Sequence, residues 1–165
     1  MTTSLRQPRH SVVDWSDAHA LGLEEIDAQH RLLFDLINDL WHHLVRRSAR
    51  TDVQATLTAL ERCALSHFAT EETFMRVTGY PHLAAHMAEH ADFVDRIGRE
   101  KTAVMRDQPL SFDLLSYLKG WLSDHILRAD ADFTRMARIA HGALASPHTS
   151  EPPSPSFWQR LRGWW

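Results

Sequence analysis

The sequence predicts an all-α protein: an up-down-up-down antiparallel four-helix bundle with an N-terminal extended arm and a C-terminal tail. Three observations carry this. Four long segments place apolar residues at the three-and-four spacing of a helix that faces a core. The connections between them are only a few residues long, which makes successive helices run antiparallel. The middle of the chain lacks strand-like alternation. At 165 residues the chain suits one domain with an appended tail.

Met1 to Ala20 reads as an extended lead-in carrying Val12, Val13 and Trp15. The first helix is expected from near Leu23 to about Arg47, with Leu23, Ile26, Leu33, Phe34, Ile37, Leu40, Trp41 and Leu44 inward. Ser48 to Thr51 forms a short turn, and Thr51 or Asp52 can cap the second helix. That helix runs to about Thr78 through Leu57, Leu60, Ala64, Phe68, Phe74 and Met75. Gly79 can take the left-handed position that ends a helix, and Pro81 is tolerated in the first turn of the next. The third helix extends to about Met105 with Leu83, Met87, Phe93, Val94 and Ile97 inward. Asp107 to Ser111 leads into the last helix, about Phe112 to Ala140. Its inward residues are Leu114, Leu118, Trp121, Leu122, Ile126, Phe133 and Met136. Helices of roughly 25 residues make rods roughly 35 to 40 Å long at 1.5 Å per residue.

Residues 1–141 are therefore assigned to the bundle, 142–156 to a Pro/Ser-rich linker, and 157–165 to a Trp-rich tail. The prolines of the linker are incompatible with a helix. Phe157 to Trp165 can fold back on the bundle, dock on a partner protein or membrane surface, or stay mobile. Its Trp, Phe and Arg content suits amphipathic contact.

The net charge of −3, with arginines scattered rather than massed, argues against a nucleic-acid partner. A single cysteine, Cys63, excludes an internal disulfide and reads as a small buried hydrophobe. No stretch approaches the ~18 to 20 apolar residues of a transmembrane segment. The N-terminus lacks an apolar signal core, so a cytoplasmic setting is expected.

Polar residues on the inward helix faces carry the chemistry. His30 lies between Ile26 and Phe34 at four-residue steps. His67 with Glu71, and His86 with His90, are pairs at i and i+4, which stack on one helix face. His125 faces inward on the last helix, and Asp130 follows five residues on. At 100° per residue Asp130 sits about 140° round the helix from His125, so periodicity alone prefers Ala129. Ionised carboxylates buried without partners cost several kcal/mol or shift their pKa strongly. Imidazole with carboxylate suits iron, zinc or manganese. Seven such groups exceed one tetrahedral zinc and suit two ions sharing carboxylates.

Four stretches resemble the bacterial hemerythrins in order: I-D-A-Q-H at Ile26 to His30, H-F-A-T-E-E at His67 to Glu72, G-Y-P-H-L-A-A-H-M-A-E-H at Gly79 to His90, and W-L-S-D-H-I-L-R-A-D at Trp121 to Asp130. The resemblance spans about Trp15 to Ile139, and it is what brings in Asp130. It implies a non-haem di-iron centre with an oxo or hydroxo bridge. His86, His90 and His125 would be terminal ligands of one iron, His30 and His67 of the other. Glu71 and Asp130 would bridge the pair, and dioxygen would bind at the open position. Trp121, Ile126, Phe34 and Ile97 would wall the pocket.

The implied function is reversible dioxygen binding for storage, transport or delivery, not catalysis. The alternatives are an oxygen or redox sensor acting through the C-terminal tail, and a di-iron peroxide or nitric-oxide reductase. Histidine richness favours the first, because oxygen-activating ferritin-like sites are built mainly from Glu. Of the remaining charged groups, Glu72 is expected at the surface, and Asp27 either orients the first helix or is an exposed first-turn acid. Most of His10, His19, His42, His43, His82, His141 and His148 are expected to face solvent. Tyr80 and Pro81 are expected to anchor a helix corner.

Overall fold

The computed structural model describes residues 11–144. The proposed tail, nearly all of the linker, His10 and His148 lie outside the described residues. After an extended arm with one short 3-10 turn, Asp17–His19, come α1 (Glu24–Arg46), α2 (Arg50–Thr78), α3 (Leu83–Met105) and α4 (Phe112–His125). A π-helical turn, Ile126–Asp130, joins α4 to α5 (Ala131–Leu144). Both residues flanking that turn keep right-handed helical angles, so α4, the π turn and α5 form the fourth rod. Neighbouring rods pack in the cyclic order α1, α2, α3, α4 and back to α1.

The helix ends follow local chemistry. Gly79 ends α2 at φ 65, ψ 37, the left-handed conformation that an unbranched backbone accepts most readily. The Ser111 hydroxyl accepts from the Leu114 amide at 3.0 Å and caps α4. The expected cap of α2 is not found. Its cap is Ala49, without a side-chain bond, because the helix begins at Arg50 and places Thr51 and Asp52 inside the first turn. There Asp52 complements the positive end of the helix dipole. The last helix runs to Leu144, beyond the expected end at Ala140.

The inward residues form two apolar bodies. The larger includes Leu33, Ile37, Leu40, Leu57, Leu60, Phe93, Ile97, Leu114 and Leu118. The smaller is Met75, Tyr80 and Phe133. Along α2 and the fourth rod, His67, Glu71, His125 and Asp130 lie between these bodies, so the polar groups sit in a dry interval. Val53, Val104 and Leu115 are also buried. Met87, expected inward, is 37% exposed because it stands one residue, about 100°, from the face that His86 and His90 define. Tyr80 anchors its corner as expected: it packs on Phe133, and its hydroxyl donates to Asp132 at 2.9 Å.

Candidate metal centre

All seven expected side chains converge, and all seven are buried. The i, i+4 pairs of α2 and α3 need only regular helix. The pair on the fourth rod needs the π turn. In regular helix Asp130 would point away from His125. The wider i→i+5 turn returns it to the same face, with Oδ1 3.1 Å from His125 Nε2.

Two groups of four side chains offer ligand atoms close enough for a metal ion: Glu71, His86, His90 and His125, and His30, His67, Glu71 and Asp130. Glu71 belongs to both. Asp130 also spans them, for its Oδ1 lies 3.3 Å from His86 Nε2 while its Oδ2 lies 3.3 Å from His30 Nε2. Glu71 Oε2 faces His67, His86 and His90 at 3.4, 3.6 and 3.4 Å. Facing Nε2 atoms approach to 3.1 Å between His30 and His67, and to 3.2 Å between His90 and His125.

Three outer hydrogen bonds decide what these nitrogens present. His67 Nδ1 donates to Gln29 Oε1 at 3.0 Å, His90 Nδ1 to Glu72 Oε1 at 3.1 Å, and His125 Nδ1 to Glu89 Oε2 at 2.8 Å. A neutral ring that donates from Nδ1 turns an Nε2 lone pair inward. Lone pairs thus meet lone pairs and carboxylate oxygens. All four oxygens of Glu71 and Asp130 are buried without a hydrogen-bond partner among the described residues. Such an arrangement is repulsive unless positive charge lies among the donors, and divalent cations fit that need.

Titration shows the same demand for positive charge: His67 is lowered, while His86 and His125 are raised. Burial pushes His67 down to about 4, the neutral state a ligand requires. For His86 burial acts the same way but is outweighed by Asp130 and Glu71, which raise it to about 9. Burial and Asp130 both favour a neutral Glu71, yet the surrounding imidazoles hold it down at about 2. Asp130 is likewise held well below its ordinary value: burial works against this, and His125 leads the imidazoles that outweigh it.

The outer partners follow a rule of bundle geometry. Gln29 precedes His30 and serves the ring on the next helix. Glu72 follows Glu71 and serves the next, and Glu89 precedes His90 and serves the next. The offset alternates in sign because the helices alternate in direction. A step of −1 on an up-helix and +1 on a down-helix turn the same way round the bundle. The fourth corner breaks the rule. The equivalent position after His125 is Ile126, and His30 Nδ1 is buried without a hydrogen-bond partner among the described residues.

Glu72 is therefore not simply a surface residue; it is half-buried and holds a ligand-type ring. Gln29 and Glu89 were not singled out from the sequence. The available signal was a polar side chain adjacent to an inward-facing one, readable only with the helix order in hand. His19, expected at the surface, is buried and bonded to Ser123. His43 meets Thr56 at 3.0 Å, and His42 keeps both ring nitrogens buried. His82 is exposed. Cys63 is half-buried, and burial raises its thiol. Asp27 is buried and orients the start of α1, accepting from the Leu21 and Gly22 amides at 2.8 and 3.0 Å.

Phe34, Ile97 and Ile126 are buried, and Trp121 stacks on the His125 ring at 4.2 Å and 12°. Phe68, not expected in this role, stacks on His90 at 3.7 Å and 9°. A family model described as the hemerythrin HHE cation binding domain matches residues 21–137.

The chain belongs to the hemerythrin family.

It is 30% identical to the bacteriohemerythrin of Stenotrophomonas maltophilia over 137 residues, covering 82% of this chain and 88% of that protein. It is 32% identical to the bacteriohemerythrin of Methylococcus capsulatus over 105 residues, covering 63% and 79%. Among solved structures, a wild-type hemerythrin superposes with a TM-score of 0.70 at 26% identity, covering 77% of this chain and 98% of that one. The paired clusters of His, Glu and Asp match the hemerythrin pattern of a two-metal site. Among the described residues no helix is long and apolar enough to cross a membrane.

Proposed function

We propose that this hemerythrin holds two non-haem iron ions with an oxo or hydroxo bridge and binds dioxygen reversibly, for storage, transport or delivery. The observation that carries the reading is the pair of fully buried carboxylates, Glu71 and Asp130, each set between two groups of imidazoles with no oxygen hydrogen-bonded among the described residues. His86, His90 and His125 would hold one ion, His30 and His67 the other, and the two carboxylates would bridge them. Two ferrous ions would supply the electron pair that dioxygen takes on binding and returns on release.

The chain's own residues do the rest. Gln29, Glu72 and Glu89 fix ring orientation and keep Nε2 free of protons. Phe34, Phe68, Ile97 and Ile126 exclude water and offer no acid that would drive off reduced oxygen. Five neutral imidazoles against two carboxylates leave the ions more electron-poor than a Glu-rich set would, which favours reversible binding over oxygen activation.

The test is anaerobic reduction followed by oxygen titration, watched by visible absorption. A band should appear on oxygenation and vanish on purging with argon. A colourless protein that retains two zinc ions after expression in iron would overturn the reading. We further propose a cytoplasmic setting, where a lone thiol stays reduced, and docking of Phe157 to Trp165 on a partner protein or membrane surface. Removing residues 145–165 should then abolish docking and leave oxygen affinity unchanged.

A further inference from the structure

Among the described residues, the fourth corner of the bundle, between α1 and α4, has no outer partner for its ring: Ile126 is apolar and His30 Nδ1 is unbonded. Here the N-terminal arm takes the place that a polar side chain takes at the other three corners. The Trp15 ring lies 6.3 Å from His30 and edge-on to Phe34 at 5.6 Å, with the Arg31 guanidinium over its outer face. The 3-10 turn packs against the π turn that carries Asp130.

The arm is tied at both ends. Asn38 accepts from the Val12 amide at 2.8 Å and donates to the Val13 carbonyl at 2.8 Å. Asp27 holds the Leu21 and Gly22 amides, and Arg138 donates to the Leu21 carbonyl. Asn38 and Asp27 are on α1, and Arg138 is on α5.

The middle of the arm reaches α4 through His19. Its Nδ1 accepts from the Ser16 amide at 3.2 Å. The same nitrogen lies 3.3 Å from the Ser16 carbonyl, so either tautomer ties the ring to Ser16. Nε2 lies 3.2 Å from Ser123 Oγ, two residues before His125. The ring is buried and edge-on to Phe34 at 5.0 Å.

We propose that His19 is a positioning residue of the metal centre: its Nε2–Ser123 hydrogen bond clamps the arm across the α1–α4 corner, where the arm backs the π turn bearing Asp130 and covers the unanchored His30 ring. A π turn is less favourable than regular helix, and helices revert to the regular form unless something holds the wider turn. A metal would hold it from inside through His125 and Asp130. The arm holds it from outside, before any metal arrives. This role rests on the two-metal reading above, but the outside support belongs to the metal-free protein as well.

The test uses the full chain with His19→Gln, His19→Asn and Ser123→Ala. Gln places its amide nitrogen where the imidazole has Nε2, and Asn does not reach. Amide hydrogen exchange of the metal-free protein is followed in peptides covering residues 15–22 and 124–131. In parallel, release of cobalt(II) to a chelator is followed from the loaded protein. His19→Asn and Ser123→Ala should raise exchange in both segments and speed metal release by about fivefold, the factor expected of one net hydrogen bond. His19→Gln should behave as the wild type in both.

Unchanged exchange in the π turn of Ser123→Ala, or a His19→Gln variant indistinguishable from His19→Asn, overturns the proposal. A wild type that takes up fewer than two cobalt ions instead overturns the two-metal reading, and the exchange data still decide the clamp.

Discussion

At the scale of the residue, a ligand-type histidine is defined as much by what holds its outer nitrogen as by where its inner one points. Glu89 accepts from His125 at 2.8 Å and is itself gripped by Arg128 at 3.0 Å. Burial alone would raise this carboxyl, but Arg128 and His125 hold it below its ordinary value, so it remains an anion and a strong acceptor. Glu89→Ala should leave the helices intact by circular dichroism and weaken metal binding about 10- to 100-fold in chelator competition, the range typical of lost outer partners. Unchanged affinity would show that the bond orients nothing. Loss of Glu71 acts more directly: Glu71→Ala and His125→Ala should each retain fewer than two irons per chain by metal analysis, and full occupancy in both would refute the ligand assignment.

The same scale sets a pH dependence. His86 is raised to about 9 by Asp130 and Glu71 against its burial, so below that pH the metal-free site carries a proton where a cation would bind. Metal uptake must expel it. Affinity should therefore climb as pH rises from 7 towards about 9, and a weakly buffered solution should acidify on metal addition at neutral pH. A flat affinity over this range would mean that no proton is displaced from His86. The inward faces of His30, His67, Glu71, His86, His90 and His125 were legible because helical spacing marks them against apolar neighbours. Glu72 was misread because a residue about 100° off an inward face looks solvent-bound until the neighbouring helix is placed beside it.

At the scale of the element, the π turn is the feature that the sequence could not disclose. No glycine, proline or other marker signals it within Ile126–Asp130, and regular periodicity points to Ala129. The extra residue in the turn brings Asp130 round to His125 and keeps α5 in phase with α4. That phase argument makes a test. Deleting Leu127, which is 48% exposed, should restore a regular helix, leave the acid four residues from His125, and keep Phe133 on the core. Deleting Lys119 from the regular part of α4 should instead rotate every upstream contact by about 100°. The first variant should unfold close to the wild-type temperature and the second far below it. Equal damage from both would mean that the turn is not a one-residue insertion in an otherwise regular rod.

At the scale of the whole molecule, all four rods contribute at least one ligand-type side chain to a cluster set between two apolar bodies, so ions held there would cross-link the rods. The larger body is read directly from the spacing of Leu, Ile and Phe, which is why the bundle was legible at once. The arm was legible only as an extended segment, because its contacts with Ser123 and Arg138 depend on helices distant in sequence. Metal removal should therefore separate two contributions. The two apolar bodies should preserve most of the helical circular dichroism, while the cross-link is lost. With each ion supplied at a thousandfold excess over its Kd, two ions contribute about 8 kcal/mol. That should appear as a fall in Tm of roughly 15 to 30 °C for a chain of this size. The fall should persist when residues 145–165 are removed, since all seven ligand-type residues precede them. A metal-free protein melting at the holoprotein temperature would mean that the buried carboxylates are balanced by protons alone and that the cations do not tie the rods together.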